Sequence, residues 1–149
     1  RVINKSLPKL ASWITNRETA QQVHARVTFR QIGETMKGRW AATLELPHTS
    51  PYDQIRLVNF PEPETIFPGE SAILDVFAKH ESDSEAYGWN NEAYLDNNRW
   101  RTTRYRLNPG DYDIEVVLIG VNTQVRRSFK AHIGQTIEDT NLYNPDKSS

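Results

Sequence analysis

The chain has 149 residues, the size of a single domain, and a compact fold of that length buries about 70% of the surface that its unfolded chain exposes. Its 18 basic and 19 acidic residues give a net charge of −1, so no long-range field concentrates nucleic acid or anionic lipid, and no nucleic-acid polymer is expected as a partner. The absence of cysteine excludes disulfides, thiolate metal sites and cysteine nucleophiles.

The first predicted element is a short helix from about Leu7 to Arg17, capped by Ser6. Two interpretations of this helix remain open: it packs on the domain, or it connects the domain to a membrane-proximal segment. The chain starts at Arg1 without a signal-peptide pattern, so we expect it to have been cut from a longer protein. A membrane anchor upstream of Arg1 is one such missing segment.

Beyond this helix, apolar and polar residues alternate with a period of two, which predicts strands with one buried face. Glycines and prolines separate these segments, and Gly33 and Gly38 bracket one predicted turn. Seven strands are predicted: Val23 to Phe29, Arg39 to Leu46, Gln54 to Phe60, Ser71 to Lys79, Thr103 to Leu107, Tyr112 to Gly120 and Val125 to Ile133.

Two segments lack this period. The stretch from His80 to Arg101 is polar and aromatic, and we interpret it as a long connection with one helical turn near Glu92 to Leu95. Long connections in compact domains are often functional, and the aromatic residues argue against disorder. The polar tail, residues 135–149, is expected to be loose or draped over the domain.

Seven strands with one buried face each, and no helices between them, predict two antiparallel sheets packed face to face. The fold class is therefore all-β: an immunoglobulin-like antiparallel β-sandwich of about seven strands, with a small closed barrel as the competing arrangement. Residues 1–20 form the N-terminal helix or connector, 21–134 the sandwich and 135–149 the tail.

Two residues strengthen the sandwich interpretation. Tyr112 opens the penultimate strand after the turn Asn108-Pro109-Gly110-Asp111, and this resembles the tyrosine corner, whose hydroxyl bonds to the backbone just upstream. Trp40 resembles the central tryptophan of such cores. The cysteine pair of antibody domains is missing, so fibronectin-III-like and other bacterial Ig-like modules remain.

A narrower resemblance covers about the last two thirds of the chain. The stretches Pro68-Gly69-Glu70-Ser71, Leu74-Asp75-Val76, Asn91-Glu92-Ala93-Tyr94, Trp100-Arg101 and Leu107 to Val116 are similar to bacterial Ig-like domains that have no settled activity. Such domains often follow N-terminal membrane-spanning helices, so the resemblance implies membrane association through a segment before Arg1. It implies no ligand.

No catalytic, metal or cofactor site is predicted. The four histidines are isolated and make no zinc-binding spacing: His24, His48, His80 and His132. Glycine motifs for phosphates, dinucleotides or a nucleophilic serine are also missing from the sequence. Glu81, Asp83 and Glu85 alternate in the long connection, but they lack calcium-loop spacing, and a solvated acidic loop explains them.

The candidate binding site lies in the long connection, where aromatic rings could stack on a ligand and amides could orient it. The residues assigned to it are Tyr87, Trp89, Asn90, Asn91, Tyr94, Trp100, Arg101 and Arg104. In the alternative interpretation the aromatic side chains fold back against the sandwich edge. The arginines, including Arg104 and Arg106 on one predicted strand face, then either bind an anion or discourage pairing at a sheet edge.

The expected function is therefore non-enzymatic recognition, with a protein or a small molecule as the partner. The leading hypothesis is the soluble part of a membrane-anchored bacterial protein that contacts its partner through the region from Tyr87 to Arg106. The alternative is a sensor module for a carbohydrate or an anionic nucleotide. Exposed sandwich edges also make a homo-oligomer plausible.

Overall fold

The computed structural model describes residues 2–7, 20–40, 64–66, 72–90, 93 and 100–147. Within these residues the chain forms eleven strands and three short 3-10 turns. The strands are β1 (Val2–Leu7), β2 (Ala20–Phe29), β3 (Glu34–Lys37), β4 (Arg39–Trp40), β5 (Glu64–Ile66), β6 (Leu74–His80), β7 (Ala86–Gly88), β8 (Arg106–Leu107), β9 (Gly110–Ile119), β10 (Gln124–Ile133) and β11 (Asn141–Tyr143). The 3-10 turns are Arg30–Ile32, Thr103–Tyr105 and Pro145–Lys147.

The strands form two antiparallel sheets. The five-stranded sheet has the order β1-β6-β7-β8, and β4 also pairs with β6; the six-stranded sheet has the order β11-β10-β9-β2-β3, and β5 also pairs with β2. Both sheets contribute to one hydrophobic core, in which Leu74 and Phe77 of β6 join Val27 of β2 and Val116 of β9. The predicted pair of antiparallel sheets is thus confirmed, and the architecture is that of a β-sandwich.

The core is built from the strands whose period-two pattern was clearest. In β2 and β9 every second residue is buried while the residues between them face outward or are half-buried. The buried residues of these two strands are Val23, Ala25, Val27, Phe29, Tyr112, Ile114, Val116 and Leu118. β10 adds Phe129, Ala131 and Ile133 to the same core.

The chain passes from one sheet to the other at Gly38, the single residue between β3 and β4. Its backbone N–H donates to the carbonyl of Ala25 at 2.7 Å. A Cβ atom on Gly38 would lie 2.8 Å from the Cβ of Ala25 and 2.9 Å from Cδ1 of Leu74, closer than such atoms approach. Only glycine therefore lets the chain cross at this point without displacing its neighbours.

Trp40 links the two sheets directly. It lies on β4 in the five-stranded sheet, with 2% of its surface exposed. Its indole N–H donates to the carbonyl of Val23 on β2, in the six-stranded sheet, at 2.9 Å. The predicted core position of Trp40 is confirmed, and the polar edge of the ring has a hydrogen-bond partner, as a buried indole requires.

β6 contains a β-bulge that allows both of its faces to be buried. Along β1 the pairing advances from Lys5 to Ser6, whereas along β6 it moves from Phe77 to Asp75, so Val76 is the extra residue. Leu74, Val76 and Phe77 all reach the main core. The neighbouring Ala78 belongs to a separate cluster on the other face of the sheet.

Tyr112 has the contact that defines a tyrosine corner. Its hydroxyl donates to the backbone carbonyl of Asn108, four residues upstream, at 2.8 Å. The ring is 8% exposed and packs in the main core. The hydrogen bond therefore ties the turn before β9 to the strand itself, as the sequence pattern predicted.

Replacing Tyr112 with phenylalanine is expected to lower the free energy of unfolding by about 1 kcal/mol at neutral pH, because the ring stays while one hydrogen bond is lost. Burial raises the pKa of the Tyr112 hydroxyl, so the folded state holds this proton more tightly than the unfolded state. Stability due to this group is complete below pH of about 10 and is lost as the pH rises further.

Urea unfolding of the wild type and Tyr112→Phe between pH 7 and pH 11 measures both effects. The difference between the two proteins should shrink at the alkaline end of the series. A variant as stable as the wild type at pH 7 would show that the hydroxyl contributes nothing to this corner.

The segment between Gly33 and Gly38 corrects one prediction. It was predicted as a turn, but Glu34–Lys37 forms β3 and pairs with β2. The chain reverses earlier, in the 3-10 turn Arg30–Ile32, which ends at Gly33 in the left-handed region with φ of 65°. Strand and turn were confused because only Met36 of the four β3 residues is buried.

Three short strands differ from the prediction: two of them were not predicted, and the third is shorter than the strand predicted in its place. β7 lies inside the stretch that was interpreted as a connection without strands, and β11 lies in the tail that was expected to be loose. The predicted strand from Thr103 to Leu107 is a 3-10 turn followed by the two residues of β8. Arg104 and Arg106 therefore do not share a strand face. All three strands are too short to establish a period.

The N-terminal segment contributes a strand. Residues 1–20 were predicted as a helix or connector, with the helix itself from about Leu7 to Arg17; ahead of that helix, Val2–Leu7 pairs along β6 as β1, a strand that was not predicted. Polar residues at Asn4, Lys5 and Ser6 hide its alternation. The remainder of the predicted helix up to Arg17 and the predicted strand from Gln54 to Phe60 lie outside the described residues, as does the predicted strand beyond Trp40.

Candidate functional site

A second hydrophobic cluster lies on the face of the five-stranded sheet that points away from the main core. We call it the outer aromatic cluster, and it consists of Ala78, Tyr87, Trp89, Ala93 and Trp100. Ala78 on β6 lies directly opposite Tyr87 on β7, so the two share this face. Three of the aromatic and arginine residues predicted for the binding site are thus brought together.

The rings of this cluster pack edge to face. The ring centroid of Trp100 lies 5.6 Å from that of Tyr87 at an angle of 81°, and 5.8 Å from that of Trp89 at 64°. Each of the three side chains is buried, with 6–8% of its surface exposed. The three rings therefore pack on one another and offer little ring surface for a ligand to stack on.

Two predicted amide residues and one tyrosine have different outcomes. The side-chain carbonyl of Asn90 accepts a hydrogen bond from the backbone N–H of Ala93 at 2.9 Å. Asn90 therefore positions backbone that carries a member of the outer aromatic cluster. Asn91 and Tyr94 lie outside the described residues.

Arg101 covers the outer aromatic cluster from the solvent side. Its guanidinium lies 4.4 Å from the ring centroid of Trp100, and its Nε donates to Oδ2 of Asp83 at 2.7 Å. The side chain is still 41% exposed. Ring and carboxylate together hold one exposed guanidinium in a fixed orientation.

Asp83 is itself held by the buried base of the β6–β7 hairpin. Lys79 is 2% exposed, and its ammonium group donates to the backbone carbonyl of Asp83 at 2.6 Å. Burial lowers the pKa of Lys79, and the nearby carboxylates of Asp83 and Glu85 oppose that shift. The acidic loop that was predicted to be simply solvated therefore anchors both a buried lysine and the exposed Arg101.

Arg104 repeats the arrangement of Arg101 with different partners. Its guanidinium lies 5.2 Å from the ring centroid of Tyr105, and its Nε donates to Oε2 of Glu34 at 2.8 Å. Glu34 belongs to β3, so this ion pair joins the two sheets. The Arg104 side chain is 60% exposed. Both arginines thus combine an adjacent aromatic ring, a carboxylate on Nε and an exposed guanidinium.

No sequence pattern indicated that the carboxylates of Asp83 and Glu34 would pair with the two arginines. Asp83 is 18 residues from Arg101 and Glu34 is 70 residues from Arg104, so only the fold brings each pair together. The adjacent ring of each arginine was visible, because Trp100-Arg101 and Arg104-Tyr105 are neighbours in the chain. Alternating Asp83 and Glu85 suggested an acidic loop but not its partner.

Among the described residues, no three His, Asp or Glu side chains gather closely enough to bind a metal ion. The same part of the chain contains no helix with the length and hydropathy of a membrane span. No protein-family model, no curated protein and no solved structure matches the chain.

Proposed function

We propose that this chain is a non-enzymatic recognition domain that contacts a protein partner through Arg101 and Arg104. The proposal includes the finer assignments expected from the sequence: an immunoglobulin-like sandwich and the part of a bacterial membrane-anchored protein that lies outside the bilayer. The observation that carries it is the repeated arrangement of these two arginines, each over an aromatic ring and each bound through Nε to a carboxylate.

A fixed, exposed arginine is well suited to a protein interface. Ordering a free arginine side chain on binding costs about 0.5–1.5 kcal/mol, and a side chain already ordered avoids much of that cost. Arginine and the aromatic residues are also enriched at the few positions that dominate binding energy. The planar guanidinium can donate from its remaining N–H groups to carbonyl or carboxylate oxygens of a partner.

Burial of the outer aromatic cluster favours a protein partner over a carbohydrate. Sugar recognition by stacking requires an exposed ring face, whereas Tyr87, Trp89 and Trp100 bury their rings against one another. The described residue that lies over the cluster, Arg101, is charged and 41% exposed. Such a side chain fits the rim of a protein interface more closely than a sugar-binding platform.

Site-specific photo-crosslinking in the source organism tests this proposal. A photoreactive residue at the exposed Thr103, between the two arginines, is expected to give a discrete crosslinked partner. The same residue at Val121, which is 69% exposed and lies in the β9–β10 loop, is the matched control and should give none. The Arg101→Gln/Arg104→Gln variant should reduce the Thr103 crosslink at least fivefold.

Two results would contradict the proposal. One is a crosslinking pattern that is the same from Thr103 and Val121. The other is a Thr103 crosslink that persists in the double arginine variant while far-ultraviolet circular dichroism shows it to be folded.

A further inference from the structure

A row of cations crosses the outer face of the six-stranded sheet. Lys37 on β3 lies opposite Arg26 on β2, Arg26 opposite Val117 on β9, and Val117 opposite Arg126 on β10. The three cationic side chains are exposed. Since neighbouring strands lie about 4.8 Å apart, the row spans about 14 Å across the sheet.

Two of these cations face each other without a carboxylate between them. Like charges directly opposite in a sheet destabilise it, and within the part of the chain that the structure describes neither Lys37 nor Arg26 makes an ion pair. The carboxylate at the neighbouring register position, Glu115, is occupied by Arg30 at 2.6 Å and Arg126 at 3.5 Å. The Lys37–Arg26 end of the row thus carries the uncompensated charge.

A groove of about 560 Å³ opens at this end of the row. Arg26 and Lys37 line it together with Ile119 and Met36, and His24 and Thr35 add hydrogen-bonding groups. Its volume is within the range of small-molecule sites, about 300–1,000 Å³. Cations, hydrogen-bonding groups and apolar atoms therefore converge on one concave surface.

We propose that this groove binds a small phosphorylated molecule with an apolar part. A phosphate monoester carries about −1.5 to −2 charges at neutral pH, which matches two adjacent cations better than a single carboxylate does. Lys37 and Arg26 bind the phosphate oxygens, with Thr35 and His24 as further hydrogen-bond partners. Ile119 contacts the apolar part.

This site is separate from the surface proposed for the protein partner. Its residues come from β2, β3 and β9 of the six-stranded sheet, whereas Arg101 lies over the outer aromatic cluster on the five-stranded sheet. Arg104 pairs with Glu34 at the start of β3, and neither of these two residues lines the groove. Loss of one activity therefore leaves the other measurable, and the two proposals fail independently.

Titration followed by nuclear magnetic resonance tests the groove, with octyl phosphate, inorganic phosphate and octanol as probes at concentrations below micelle formation. Octyl phosphate is expected to shift the amide signals of His24, Lys37 and Ile119. Inorganic phosphate should bind more weakly at the same residues, and octanol should not bind measurably. Affinity for octyl phosphate should fall as the salt concentration rises.

The decisive variant is Arg26→Gln/Lys37→Gln, which should weaken octyl phosphate binding about tenfold or more because both charge-assisted contacts are lost. Its matched control is Arg30→Gln/Lys130→Gln, which also removes two cations, one in the 3-10 turn after β2 and one on β10. In the wild type those two cations are already paired with Glu115 and Asp113. The control should bind within twofold of the wild type.

The unfolding temperature of the decisive variant should equal or exceed that of the wild type, because a like-charged pair is removed. Equal affinity in the decisive variant and the control would overturn the proposal. Signal shifts confined to residues outside the groove would overturn it as well. Equal affinity for inorganic phosphate and octyl phosphate would show that the groove does not recognise an apolar part of the ligand.

Discussion

Replacing Trp40 with alanine is expected to lower the free energy of unfolding by about 3–5 kcal/mol. The substitution removes a fully buried indole from the contact between the sheets and leaves the carbonyl of Val23 without its indole donor. Total stabilities of single domains are about 5–15 kcal/mol, so the variant loses a large share of its stability. Urea unfolding followed by far-ultraviolet circular dichroism measures the loss.

Trp40→Phe separates the two contributions. It keeps most of the apolar contact and loses the indole donor, so its cost should be smaller than that of alanine. Val121→Ala is the control, because Val121 is 69% exposed and surface substitutions usually change stability by less than about 0.5 kcal/mol. A Trp40→Ala variant as stable as this control would show that the indole does not hold the sheets together.

Removing the carboxylate of Asp75 is expected to cost about 3–5 kcal/mol, the typical effect of leaving one ion of a buried pair without its partner. Asp75 on β6 accepts a hydrogen bond from Arg39 on β4, and the two side chains are only 3% and 5% exposed. Asp75→Ala therefore leaves the buried guanidinium of Arg39 without this carboxylate. Chemical unfolding of the single variant measures this cost.

The buried ion pair as a whole is expected to add little to the free energy of unfolding, because the attraction between its charges is offset by the cost of removing both from water. Arg39→Met/Asp75→Leu should be more stable than the single variants Arg39→Met and Asp75→Leu, since apolar replacement of both ions is often neutral. A double-mutant cycle over the four proteins gives the coupling. Asp113→Ala, at the exposed pair with Lys130, is the control and should change stability little. Additive single effects at Asp75 and Arg39 would contradict the expected coupling.

The sandwich could be predicted because its long strands have one buried face and one exposed face. β2, β9 and β10 are ten residues each, long enough for a period of two to stand out from the composition. Tyr112 and Trp40 could be predicted for a related reason, since an aromatic residue with one polar group needs a buried position with one hydrogen-bond partner.

The three-residue strands could not be predicted, whereas the doubly buried β6 was predicted as a strand from Ser71 to Lys79 but could not be oriented. β7 and β11 have three residues each and depend on their neighbours for their pairing. Six of the seven residues in β6 are buried, so its pattern contains no alternation to indicate which face meets the core. Tertiary pairing determines such strands, and a local window of sequence does not contain it.

The candidate site was predicted in part. Tyr87, Trp89, Trp100 and Arg101 gather on one region, but the side-chain types could not distinguish exposed rings from packed ones. Trp89 and Trp100 are apolar enough to form a second core beneath Arg101. The contacts that orient the arginines depend on carboxylates distant in sequence, which no motif indicates.

The extra residue in β6 has a consequence for how this sequence can vary in length. Deleting Val76 would restore regular pairing with β1 but would rotate the residues before it by half a turn about the strand. Leu74 would then leave the main core for the face that now buries Asp75, and the Asp75 carboxylate would enter the apolar core. Homologues of this chain should therefore tolerate insertions and deletions in the loop at Glu81 to Glu85 while keeping the residue count of β6 constant.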